Sequence, residues 1–73
     1  MTTRTRSIRI TSEYITLGQF LKFADVVSSG SEAKFFLQTN DVLINNELDN
    51  RRGRKLREGD TVEISGTKFV ISK

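Results

Sequence analysis

Two helix-start signals limit what this chain can fold into. Thr16-Leu17-Gly18-Gln19 and Ser29-Gly30-Ser31-Glu32 both have the form of a capping box. In that motif the first and fourth residues satisfy each other's backbone N–H groups. After the first box, Leu17, Phe20, Leu21 and Ala24 fall at i, i+3, i+4 and i+7, one apolar face of a short helix. Ile15 and Phe20 occupy the N′ and N4 positions of a hydrophobic staple, while Lys22 and Asp25 fall away from the apolar face. After the second box, Ala33, Phe36 and Leu37 make a second stripe. Asn40 is the expected C-cap, because Asn tolerates the left-handed conformation. Ser28 to Gly30 gives a polar turn between the helices.

Beyond Asp41 the pattern changes to strands. Val42-Leu43-Ile44 is β-prone, and Asn45-Asn46 suits a hairpin that needs positive φ. Glu47-Leu48 can begin the return strand. Glu58-Gly59-Asp60 reads as a turn, and Thr61 to Ser65 alternates with period two. Gly66-Thr67 then turns the chain into Lys68 to Ser72. The expected fold is α+β: two N-terminal helices packed on a small antiparallel sheet of about four short strands. Residues 1–12 read as a flexible basic arm, and 13–73 as a single domain.

At 73 residues the chain has room for one small core. A domain this short buries only about 60% of its unfolded surface. It contains no Cys and no His, which excludes disulfides and zinc sites of the usual type. No apolar run approaches the roughly 18–20 residues that span a bilayer. Met1 to Arg9 lacks the apolar stretch of a secretory signal. The expectation is a soluble, cytoplasmic monomer with no membrane partner.

The charge is local. Arg51-Arg52-Gly53-Arg54-Lys55-Leu56-Arg57 carries five positive charges and no negative one, in a chain of net charge +3. Without it, 7 basic and 9 acidic residues remain. Such a patch is the electrostatic footprint of a phosphate-backbone ligand, and the planar Arg fork can grip a phosphate at two points. Leu56 is placed to anchor the segment in the core, and Gly53 to let it turn. Arg4, Arg6 and Arg9 form a second basic island, either a solvated terminus or an arm that touches the ligand. Lys22 and Lys34 are expected to be exposed on the helices. Lys34 lies early in the second helix, where the dipole favours an anion. Phe35 falls opposite the Ala33, Phe36, Leu37 stripe, with two readings open. The ring stacks on an unpaired base, or, the favoured reading, it packs on the sheet. The carboxylates show no metal-ligand spacing, and there is no Gly-rich phosphate loop or nucleophile–base pair. No enzyme, cofactor or small-molecule substrate is expected.

The order of these pieces resembles the S4 RNA-binding domain. The resemblance rests on the Ser-Gly-Ser-Glu-Ala-Lys helix, the Val-Leu-Ile-Asn-Asn hairpin, the basic loop and Glu-Gly-Asp-Thr-Val-Glu-Ile. It runs from about Thr16 to Ile64 and is closest in form to small stand-alone S4-like proteins. It implies an αL-type fold whose helices and hairpin loop present a positive surface to structured RNA, often ribosomal. Carried over, Ser29 and Lys34 match polar and basic positions of the second helix, and Asn45 the hairpin Asn. Arg51 to Arg57 takes the loop before the Gly-Asp strand. Gly30 stands where the family often has Arg, and Asn46 where it usually has Gly. The expected RNA-contacting set is Lys22, Ser29, Ser31, Lys34, Asn45, Arg51, Arg52, Arg54, Lys55 and Arg57. Two other readings are a helix-turn-helix DNA binder and an adaptor docking on an acidic protein.

Overall fold

The computed structural model describes residues 4–73. The chain runs β1 (Arg4–Arg9), β2 (Tyr14–Thr16), α1 (Leu17–Phe23), α2 (Gly30–Thr39), β3 (Leu43–Ile44), β4 (Glu47–Leu48), β5 (Lys55–Arg57), β6 (Thr61–Ile64) and β7 (Thr67–Ser72).

Both helices start where their boxes place them. At α1 the Gln19 N–H donates to Thr16 Oγ1 (3.3 Å), and the Thr16 N–H donates to Gln19 Oε1 (3.0 Å). At α2 the Glu32 N–H donates to Ser29 Oγ (3.2 Å), but the Glu32 carboxylate reaches one residue further back and accepts from the Ser28 N–H (2.8 Å). The Ser28 bonds hold the Glu32 carboxyl below its ordinary pKa. Asn40 is the C-cap without being left-handed. Its φ is −134°, and its side-chain Nδ2 donates instead to Phe36 O (3.2 Å). The Asn40 backbone N–H donates to the same Phe36 O (2.9 Å), so this carbonyl near the helix end accepts twice.

The sheet departs from the expected one in number, direction and order. Among the described residues seven strands form two sheets, one ordered β1-β7-β6-β3-β4 and the other pairing β2 with β5. Two strands precede the helices, and β1 lies parallel to β7, with Arg4 opposite Thr67 and Arg9 opposite Ser72. The expected flexible arm is therefore corrected over residues 4–9, which form a sheet strand; residues 1–3 lie outside the described residues. Ile8 and Ile10 hold it, both buried on the face that meets the core. Its charges hid this: Arg4, Arg6 and Arg9 project from an element whose apolar content sits at one end. The two expected hairpins form, β3 against β4 and β6 against β7, and β3 also pairs antiparallel with β6. The β3–β4 turn has positive φ at Asn45 (52°) and Asn46 (68°), the geometry of a type I′ hairpin.

One core unites these layers. Leu17, Phe20 and Leu21 of α1 are fully buried, as are Leu56, Val62 and, to 1%, Ile71. Phe20 meets Phe69 edge to face at 5.2 Å. Each such side chain contributes about 1.5–3 kcal/mol of burial. Among the described residues every buried side-chain N or O has a partner, and no helix is long and apolar enough to cross a membrane.

Candidate nucleic-acid interface

The basic segment is pinned to the body at three points. At its start, the Asp49 N–H donates to Val42 O (3.0 Å). The Asp49 carboxylate, 13% exposed, then accepts from the Arg51 N–H (3.0 Å), Arg51 Nε (3.1 Å), Arg51 Nη2 (2.9 Å) and Arg54 Nη1 (3.4 Å). The Arg51 bonds, with weaker attraction from Arg54, hold the Asp49 carboxyl down at about 2.

The second pin is α1 itself. A helix begins with amides that have no partner in the helix. Here the Leu17 N–H donates to Arg54 O (2.7 Å) and the Gly18 N–H to Arg52 O (2.9 Å). The loop backbone is thus the cap of α1. Gly18 makes the approach possible, because a Cβ there would lie 2.7 Å from Arg52 Cγ. The stem of Arg52 lies across that gap.

The third pin is β5. Leu56 is fully buried, as its place in the sequence implies. Its neighbours Lys55 and Arg57 project outward, opposite Thr16 and Tyr14. Lys55 Nζ lies 5.1 Å and Arg57 Cζ 5.7 Å from the centre of the Tyr14 ring. These cation–π contacts hold two cations against one aromatic face. The five charges therefore sit on a framework: Arg51 and Arg54 around Asp49, Arg52 across α1, Lys55 and Arg57 on Tyr14.

The helices complete the surface. Between the starts of α1 and α2 and the turn Arg51–Arg54 lies a cleft of about 290 Å³, lined by Thr16, Gly18, Gln19, Lys22, Gly30, Ala33, Arg52 and Gly53. Lys22 and Arg52 thus meet at one cavity, joining a helix lysine to the loop. Lys34 and Ser31 are exposed on α2. Phe35 is 65% exposed, so the expectation that it packs on the sheet is overturned. α2 turns only the Ala33, Leu37 and Phe36 side inward, and Phe35 projects the other way.

Two residues expected in the interface are already engaged. The Ser29 hydroxyl caps α2. Asn45 Oδ1 accepts from the Thr61 N–H (3.0 Å) and Nδ2 donates to Asp60 Oδ1 (3.2 Å), which ties the hairpin to the turn before β6. The Arg4–Arg9 island lies on the outermost strand at the sheet edge opposite β4, about 19 Å across the strands. Arg6 there stacks over the Phe69 ring at 5.9 Å. Sequence reasoning missed Tyr14, Gly18 and Asp49. Only Asp49 carried a signal, an acid two residues before a basic run.

The family model described as S4 domain matches residues 8–72, which takes in both helices, the cleft and the whole basic loop. The chain belongs to the S4 domain family. It is also similar to the "Probable ribosome maturation protein RlbA" of Bacillus subtilis (strain 168), 64% identical over 59 residues, which cover 81% of this chain and 83% of that one. Within the S4 match, β1 is taken up only from Ile8, one of the two residues that bury it.

Proposed function

We propose that the chain is a non-catalytic RNA-binding module that engages structured ribosomal RNA, or a ribosome precursor, during ribosome maturation. The observation that carries this reading is the framework under Arg51 to Arg57. The loop caps α1, is clasped by Asp49 and is anchored by Leu56, so its cations are ordered before any ligand arrives. Pre-ordered cations bind a phosphate backbone without the entropy cost of arranging long side chains. Arg52, Lys55 and Arg57 have no carboxylate partner among the described residues and take the phosphates directly. Lys22 and Lys34 extend the positive surface onto the helices. Tyr14 and Phe35 offer exposed rings on which unpaired bases stack. The relative named for ribosome maturation supports the ribosomal assignment.

The test is a salt titration with a ribosomal RNA fragment. Four or five neutralised phosphates give a log–log slope of about −3 to −4.5. The variant of choice is Arg52→Gln/Lys55→Gln/Arg57→Gln, because it leaves the Asp49 clasp intact. It should fold as the wild type does, and its slope should shrink by about 2 to 2.7. Unchanged affinity and slope in the folded variant would put the site elsewhere.

A further inference from the structure

The chain has five glycines, and the structure accounts for three of them. Gly59 (φ 91°) and Gly66 (φ 81°) hold backbone conformations that side chains resist. Gly18 makes room for Arg52. Gly30 and Gly53 have neither reason. Neither has positive φ, and a Cβ at either would meet nothing within 4 Å. Gly30 is also the first residue of α2, whereas helices favour glycine just past their ends. Both unexplained glycines line the same cavity, the cleft between α1, α2 and the basic loop, along with Lys22 and Arg52.

We infer that this cleft seats a single unpaired nucleotide of a bound RNA, its base against the Gly30 and Gly53 walls and its phosphate on Lys22 and Arg52. The inference rests on the RNA-binding reading and deepens it. At about 290 Å³ the cleft is at the small end of ordinary ligand pockets, which suits one nucleotide and excludes a duplex. Walls without side chains let a flat ring approach the backbone closely. Gln19 supplies a means of reading the base edge: its Oε1 is spent on the Thr16 N–H, and its Nε2 donor has no partner among the described residues. A partner rich in carboxylates would match the two cations but would have no use for flat glycine walls.

The test compares two RNA hairpins, one fully paired and one with a single-nucleotide bulge, by fluorescence anisotropy on the full chain at fixed salt. The wild type should prefer the bulged hairpin about tenfold, the size expected of one seated base. Gly30→Leu, which adds bulk to the cleft lining, should melt at or above the wild-type temperature. It should bind the paired hairpin as the wild type does, with the preference gone. Gly53→Ala should reduce the preference in the same direction. A preference that survives in folded Gly30→Leu overturns the seat. So does a wild type that binds both hairpins equally with a normal salt slope, which leaves the RNA-binding reading standing. Failure of the wild type to bind either hairpin overturns both. Displacement of the bulged hairpin by an equal concentration of free AMP would show a site for free nucleotides and overturn the RNA assignment.

Discussion

Asp49 is a single acid that organises a basic loop. It offsets one of five positive charges, and in return it fixes two guanidinium groups and the backbone between them. Its carboxyl, ordinarily at 3.8, is held at about 2 in the folded chain. Between those values the unfolded chain binds the proton and the folded chain does not, so stability rises with pH across that window. The contribution is complete above about pH 4 and lost as pH falls toward 2. Asp49→Asn should flatten that part of the acid limb, which urea unfolding at stepped pH would show. Phe35 makes the opposite case, a large apolar side chain that the fold does not use. Phe35→Ala should change stability by no more than about 0.5 kcal/mol, as for other exposed positions. It should weaken RNA binding by about 1–3 kcal/mol, as loss of one stacked base does. The helical wheel placed Phe35 off the apolar stripe, but could not say what lay opposite. Asn45 was likewise legible as a hairpin residue, because positive φ has a residue preference. Its bonds to Asp60 and Thr61 were not, because they cross a turn that sequence leaves unplaced.

The elements that could be read are those with local rules. Both helices follow from capping chemistry, since each cap is made within four residues of itself. The β6–β7 hairpin follows from period-two alternation and two turns. The β2–β5 ribbon had no such rule. Its three-residue strands are too short to show a period and lie far apart in the chain. Yet this ribbon sets the interface, since it places Lys55 and Arg57 on Tyr14 and buries Leu56 beneath them. Leu56→Ala should cost about 2–5 kcal/mol, the usual penalty for emptying a packed leucine site. Chemical denaturation would measure it. The same variant should lose more RNA affinity than a core substitution remote from the loop, such as Ile64→Val.

At the scale of the whole molecule, α+β was legible and its closure was not. Sequence puts Arg4 to Arg9 among flexible termini because basic, Thr-rich ends usually fray. The structure makes that segment the outer strand of the larger sheet, paired along its full length with β7. The pairing is invisible locally because each residue of β1 meets one 63 positions later. Removal of residues 1–9 should therefore do more than trim a tail. It uncovers the edge of β7, strips Arg6 from Phe69 and takes Ile8 from the core. The shortened chain should lose cooperative thermal unfolding, followed by circular dichroism. A sharp transition at the wild-type temperature would return that segment to the status of an arm.

The parallel strand also bears on synthesis. Parallel neighbours need a crossover, and here the crossover is nearly the entire chain. Of these strands a nascent chain makes β1 first and β7 last, so the larger sheet stays open until β7 has been made. Both helices and the β3–β4 hairpin can form earlier from local contacts, while closing the ends carries the loop entropy of a long-range contact. Until β7 arrives, Arg4, Arg6 and Arg9 ride on a basic segment without its strand partner.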